Sequence, residues 1–172
     1  MRSIGLKKKK LEELLNANSK VYVLDTSVLV EYLDKSSPLA RKVEVIFKKA
    51  LNRELTLYTT SLALAETLYV TSKFYKAMGV AKPNDEALNY IIWLKEYVGL
   101  KVGNIDEMLA LKIGELKKKL GIALTDCSIV AYALELKGTA LFRKVEKEMK
   151  PTIKNLRDLG VLFLSEIPLE TP

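Results

Sequence analysis

Short apolar runs rich in β-branched and aromatic residues alternate with helical segments of ten or more residues, and this alternation restricts the possible folds more than any other feature. The first run, Val21 to Leu24, is apolar on both faces, as in a strand that is covered on both sides. Further strands are predicted at residues 55–59, 100–102, 139–142 and 161–164. Because strands separated by helices need crossover connections, we predict one α/β domain around a central, mainly parallel, four- or five-stranded sheet.

Capping signals divide the segments between the strands. Leu39 to Leu51 carries apolar residues at helical spacing, which predicts a helix before the second strand. Asn104 is followed three residues later by Glu107, which is the spacing of a capping box. Thr125 is expected to cap the helix that carries Asp126.

The length of 172 residues fits one domain with a core of useful size. We expect a basic N-terminal arm at 1–19, the α/β domain at 20–167 and a C-terminal tail at 168–172. No apolar run approaches the roughly 18 residues of a membrane span, and no signal-peptide core is recognisable. The single cysteine, Cys127, excludes an internal disulfide and a cysteine-rich zinc site, so we expect a cytoplasmic protein without membrane contact.

The charge balance favours polyanionic partners. There are 28 Lys and Arg residues against 21 Asp and Glu residues, which gives a net charge of +7. A basic excess steers a protein towards nucleic acid, because contacts to phosphates release counterions. A mixture of Lys and Glu is also typical of thermophile surfaces, so the charge alone leaves both interpretations open.

The chain contains no histidine, and this absence limits the chemistry. It excludes serine–histidine and cysteine–histidine nucleophilic pairs, histidine general bases and most zinc sites. Neither a glycine-rich phosphate loop nor a dinucleotide fingerprint is present, so ATP and NAD chemistry find no support. Carboxylate chemistry remains, with or without a metal.

Three acidic residues occupy junctions of the predicted elements. Asp25 follows the first strand, Glu66 interrupts a run of small residues and leucines, and Asp126 stands at the start of a helix. In an open parallel sheet, ligands bind beyond the carboxyl ends of the strands, where the following helices begin. If the fold brings the three carboxylates together there, a hard divalent cation with oxygen ligands is the economical explanation.

Three segments together resemble the motifs of the PIN domain (PilT N-terminus) family. Residues 21–30, with Asp25 before Thr26-Ser27, resemble its opening motif. Ser61 to Leu68 resembles the second motif, and Asp126 to Ala133 resembles the third. The order and spacing agree, and the similarity covers about Lys20 to Ile167. The resemblance implies a three-layer α/β/α sandwich and a Mg²⁺- or Mn²⁺-dependent ribonuclease.

The resemblance also implies roles for individual residues. Asp25, Glu66 and Asp126 would be catalytic metal ligands, and a hydroxyl of Thr26 or Ser27 would orient a carboxylate or water. Many family members are VapC-like toxins of toxin–antitoxin pairs, and others act in RNA processing. RNA, an antitoxin protein and a second copy in a homodimer are therefore the expected partners.

The sequence departs from the family at a fourth acidic position after the strand at 139–142. The expected slot falls near Lys144 or Val145, so Glu146 is the nearest substitute and Glu148 the next. Arg143 and Lys144 are candidates for holding flanking phosphates of the substrate.

Two other functions stay open. A PIN-like protein with an incomplete metal site would be a non-catalytic RNA-binding or scaffold protein. A phosphohydrolase acting on small molecules is disfavoured, because Asp25-Thr26-Ser27 lacks a second aspartate two residues after the first.

Overall fold

Five parallel strands form the centre of the computed structural model, which describes residues 20–168. They are β1 (Val21–Leu24), β2 (Thr56–Thr60), β3 (Lys101–Gly103), β4 (Thr139–Phe142) and β5 (Leu162–Phe163). Their order across the sheet is β3-β2-β1-β4-β5, and each neighbouring pair is parallel. The prediction of a parallel sheet with four or five strands is confirmed.

Seven α-helices and two short 3₁₀ segments connect the strands in this part of the chain. The helices are α1 (Thr26–Glu31), α2 (Pro38–Leu51), α3 (Ser61–Ala77), α4 (Pro83–Glu96), α5 (Glu107–Leu120), α6 (Leu124–Glu135) and α7 (Ile153–Asp158). The 3₁₀ segments are Lys147–Thr152 and Leu164–Glu166.

The side chains of each central strand alternate between two cores, one on each face of the sheet. Tyr22 and Leu24 of β1 pack with α1, α2 and α4, whereas Val23 packs with α5, α6 and α7. All three side chains are fully buried, and each large apolar side chain so buried contributes about 1.5–3 kcal/mol. The predicted three-layer α/β/α sandwich is therefore confirmed, and a strand that is apolar on both faces is its sequence signature.

Two predicted helix caps are wrong. Asp106, not Asn104, caps α5, since the Asp106 carboxylate accepts a hydrogen bond from the Leu109 backbone N–H at 2.8 Å. Asn104 and Glu107 have the spacing of a capping box. However, the helix begins at Glu107, so Asp106 is the residue next to the unpaired backbone N–H groups of its first turn. Helix α6 begins at Leu124, so Thr125 lies inside the helix rather than at its cap.

The segment after β4 departs further from the sequence prediction. A 3₁₀ turn and α7 fill residues 147–158, where no helix is predicted, because Met149 and Leu156 supply a short apolar stripe against the second core. The predicted basic arm at 1–19 lies outside the described residues, as does nearly all of the tail at 168–172. Within residues 20–168, no helix is long and apolar enough to cross a bilayer.

The sheet topology creates a crevice at the end of β1. From β1 the chain continues to β2 and β3 on one side, and later to β4 and β5 on the other. The loops after β1 and β4 therefore separate at the carboxyl edge of the sheet, which is where open α/β sheets bind ligands.

Candidate active site

A cleft of about 430 Å³ opens at this edge of the sheet. It is lined by residues from α1, α3 and α6 and from the segment after β4. Seven carboxylates contribute to the lining: Asp25, Glu31, Asp34, Glu66, Asp126, Glu146 and Glu148. The fold thus places Asp25, Glu66, Asp126 and Glu146, which are up to 121 positions apart in sequence, in the lining of one cleft.

Asp25 links the end of β1 to the start of α1. It is the N-cap of α1, and its Oδ2 accepts hydrogen bonds from the Ser27 N–H at 2.9 Å and from the Ser27 hydroxyl at 2.5 Å. Its own N–H donates to the Leu141 carbonyl of β4 at 3.0 Å. Only 5% of Asp25 is exposed, so the strand pairing and the cap together fix its position at the floor of the cleft.

Glu66 approaches the same cleft from α3. The Thr26 hydroxyl lies 3.1 Å from Glu66 Oε2 and 3.1 Å from the Ala63 carbonyl oxygen, so it links α1 to α3. Thr67, one residue further on, is fully buried and donates to the same carbonyl at 2.7 Å. This buried face of α3 directs the Glu66 side chain towards the cleft while leaving the residue exposed.

Asp126 and the glutamates after β4 form another wall of the cleft. Burial, as the main cause, and the nearby negative charges of Asp25, Glu146 and Glu148 together raise the pKa of Asp126 to about 8. Glu148 also accepts a hydrogen bond from the Ala123 N–H at 3.2 Å, at the start of α6. The pKa of Asp126 shows that an uncompensated negative charge is costly at this wall.

The pKa of Asp25 is also above its ordinary value of 3.8. Burial is the main cause, and the charge of Glu66 adds to it, while the two hydrogen bonds from Ser27 oppose it. Repulsion among carboxylates and loss of water therefore outweigh good hydrogen bonding.

Arg143 is the one cation in the described lining of the cleft. Its Nη1 donates to Glu31 Oε2 at 2.9 Å, and its backbone N–H donates to the Ser27 hydroxyl oxygen at 3.2 Å. The Ser37 hydroxyl donates to the other oxygen of Glu31. Lys144, the second candidate for phosphate binding, is exposed and does not contribute to the lining.

The sequence interpretation missed Glu31. It directly follows the apolar run Val28-Leu29-Val30, and only 4% of its side chain is exposed. An acid within an apolar helical run is costly unless it is paired. An acidic residue within an apolar run singled out Glu66, and the same pattern is present at Glu31.

The oxygen atoms that line the cleft are of the type that binds a hard divalent cation. The cleft offers carboxylate and hydroxyl oxygens, and neither histidine nor an exposed thiol, which is the set that Mg²⁺ and Mn²⁺ prefer. In the part of the chain that the structure describes, no three acidic or thiol side chains lie close enough to form a ready-made metal-binding group. A cation would therefore have to draw these side chains together, and its charge would offset the mutual repulsion that otherwise opposes their approach.

Comparisons with known proteins bear on the fold. A sequence model of the PIN domain matches residues 22–144. A search of curated proteins finds no match.

Solved structures of similar fold include a toxin and a DNA-bound protein. A chain of VapBC2 from Rickettsia felis, bound to a DNA fragment from its promoter, is 19% identical with a TM-score of 0.58, over 83% of this chain and 98% of that one. VapC20 of Mycobacterium tuberculosis, a toxin that cleaves the sarcin–ricin loop, is 10% identical with a TM-score of 0.55, over 76% and 94%. FitAcB from Neisseria gonorrhoeae is 19% identical with a TM-score of 0.53, over 84% and 98%. At these identities the likeness establishes the fold alone.

Proposed function

Because this chain belongs to the PIN domain family, we propose that it is a ribonuclease that hydrolyses RNA phosphodiester bonds with the help of Mg²⁺ or Mn²⁺. One observation carries the proposal: Asp25, Glu66 and Asp126, the acids of the three motifs, line a single cleft at the carboxyl edge of the sheet. Asp25 also caps α1, but the surroundings disfavour the negative charges of Asp25 and Asp126, since both pKa values are raised.

Asp25, Glu66 and Asp126 would hold the cation, with Glu146 or Glu148 as the fourth acid. When bound, a divalent cation supplies Lewis-acid chemistry: it lowers the pKa of water and stabilises the negative charge that develops on the phosphate. Mg²⁺ usually keeps several waters and needs only one or two protein carboxylates together with substrate phosphate. Four carboxylates around one cleft are sufficient for that demand.

The hydroxyls of Thr26 and Ser27 would keep the carboxylates in place. Thr26 donates to Glu66, and Ser27 donates to Asp25, so each hydroxyl restricts the rotation of one acidic side chain. Hydrogen bonds of this kind orient ligands and tune their affinity for a metal.

RNA would bind across the mouth of the cleft. The net charge of +7 attracts a polyanion, but the cleft itself is acidic, so phosphate needs a local cation. Arg143 supplies this charge in the lining, and we prefer it to Lys144 for that reason.

The structural relatives favour a role as the toxin of a toxin–antitoxin pair. VapBC2 is bound to promoter DNA, and VapC20 is a toxin that cleaves the sarcin–ricin loop. By analogy with these folds, we propose an antitoxin protein as a partner of this chain. The homodimer stays a prediction from the sequence.

Two observations favour a second function. Lys144 and Val145 occupy the slot where the family carries its fourth acid, and the described residues contain no ready-made metal-binding group. On this alternative the protein binds RNA without cutting it.

Cleavage of RNA by the purified protein distinguishes the two functions. We expect cleavage of single-stranded RNA in Mn²⁺ or Mg²⁺ and none in EDTA. Asp25→Asn keeps the size of the side chain and removes the charge, so it should abolish cleavage while the protein stays folded.

Asp106→Asn is the matched control, because Asp106 also caps a helix with its carboxylate but is exposed and lies outside the cleft lining. It should cleave close to the wild-type rate. Equal cleavage by the wild type and Asp25→Asn would refute the mechanism. RNA binding without cleavage in any divalent cation would favour the scaffold.

A further inference from the structure

We propose that Glu31 is a positioning residue that holds the Arg143 guanidinium at the cleft, where it binds a phosphate of the substrate. This inference rests on the proposed ribonuclease function. It assigns a role to Glu31, which is not one of the three motif acids.

The Glu31 carboxylate is occupied at both oxygens. Oε2 accepts from Arg143 Nη1 at 2.9 Å, and Oε1 accepts from the Ser37 hydroxyl. The Glu31 side chain is 4% exposed, whereas the Arg143 side chain is 35% exposed. The pair therefore has a buried, fixed end and an end that reaches solvent.

Arg143 is fixed at its backbone as well. Its N–H donates to the Ser27 hydroxyl oxygen, and the same hydroxyl donates to Asp25. A continuous chain of hydrogen bonds thus runs from Asp25 through Ser27 and Arg143 to Glu31. This chain links Arg143 to Asp25, one of the three proposed metal ligands.

Charge explains why such a tether is useful. Seven carboxylates and a single cation line the described cleft, so an unrestrained arginine would fold onto the nearest acids. The positive charge of Arg143 helps to lower the pKa of Asp34. By binding Nη1 from a buried position, Glu31 holds the guanidinium at one place.

The guanidinium keeps donors for a phosphate in this arrangement. A guanidinium has five N–H donors in a planar fork, and the pair with Glu31 engages Nη1. The remaining donors can bind phosphate oxygens, for which this geometry is well suited. Glu31 therefore acts on the substrate through Arg143, and its effect should vanish when Arg143 is absent.

Steady-state RNA cleavage tests this dependence with Glu31→Gln, Arg143→Ala and the double variant. We expect each single variant to raise KM roughly fivefold to tenfold with kcat changed less than about twofold. The double variant should be no worse than Arg143→Ala, since the two residues act as one unit. Glu166→Gln is the matched control: Glu166 pairs with Arg157 at 2.9 Å far along the chain, outside the cleft lining, and its KM should not change.

Two results would overturn the inference: an unchanged KM in Glu31→Gln, with only the melting temperature lowered, or KM increases that multiply in the double variant. If Glu31→Gln does not fold, Ser37→Ala replaces it as the test. This variant removes the hydrogen bond from Ser37 to the Glu31 carboxylate and should also raise KM.

Failure of the proposed function itself gives a different pattern, in which the wild type cleaves nothing. Equilibrium binding of a fluorescent single-stranded RNA then replaces KM. Weaker binding by Glu31→Gln, again dependent on Arg143, supports the positioning role, and equal binding refutes it.

Discussion

Two Asp-x-Ser turns lie nine residues apart and have the same local geometry. In the first, the N–H and hydroxyl of Ser27 donate to Asp25 Oδ2 at 2.9 and 2.5 Å. In the second, the N–H and hydroxyl of Ser36 donate to Asp34 Oδ1 at 3.1 and 2.6 Å. The pKa of Asp34 is nevertheless lowered, chiefly by its bond from Ser36, whereas the pKa of Asp25 is raised.

Burial accounts for the opposite directions. Asp34 is exposed, so its hydrogen bonds stabilise a charge that water already solvates, and Arg143 helps. Asp25 is buried beside Glu66, and the loss of water outweighs the same hydrogen bonds. A local motif therefore sets the geometry of an aspartate, while the surrounding fold decides whether the carboxylate needs a cation.

Removing the charge of Asp126 should give a larger change than altering either turn. We expect Asp126→Asn to lose roughly 100-fold or more of any metal-dependent cleavage, because a ligand is gone. Without metal, the same variant should be more stable than the wild type at pH 8, by about 1–3 kcal/mol after allowance for partial exposure.

The pH dependence follows from the pKa of Asp126, which is about 8 in the folded protein and 3.8 ordinarily. Between about pH 4 and pH 8 the folded state holds more protons than the unfolded state, so stability falls as pH rises through this window. Below about pH 4 both states are protonated and the advantage of Asp126→Asn should vanish. Urea unfolding in EDTA across this pH range measures the difference in the free energy of unfolding between Asp126→Asn and the wild type. A variant that is less stable than the wild type at pH 8 would contradict this explanation.

Removing one hydroxyl from each turn gives a smaller effect and compares the turns directly. Ser27→Ala deprives Asp25 of a donor and leaves the Arg143 N–H without its acceptor, which should cost about 1–3 kcal/mol. Ser36→Ala makes the same change in the exposed turn, where water replaces the bond, and should alter stability little. Chemical denaturation of both variants measures the difference. Equal losses in the two would show that burial is not what separates the turns.

Much of the fold was predictable because its signals are local. The run Val21 to Leu24 is apolar on both faces, and its neighbours alternate with helices, which together predict a parallel sheet. The 3₁₀ segment and α7 after β4 were not predictable, since six-residue elements show less than two turns of periodicity.

The candidate site was predictable only in part. Asp25, Glu66 and Asp126 could be singled out because each stands at a junction or inside an apolar run. The pair of Glu31 with Arg143 joins residues 112 positions apart, and no local pattern reports such a contact. The acid nearest the family's fourth position, Glu146, lines the cleft, and so does Glu148, so sequence order does not choose between them.

A crystal soaked in Mn²⁺ tests the central claim most directly, because manganese gives an anomalous signal. We predict one anomalous peak in the cleft, within coordination distance of Asp25, Glu66 and Asp126. The distances from this peak to Glu146 and Glu148 will show which of the two is the fourth ligand. The peak should be absent from a crystal of Asp25→Asn soaked in the same way. A cleft without manganese in the wild type, at a concentration that saturates exposed carboxylates elsewhere, would contradict the metal-dependent ribonuclease.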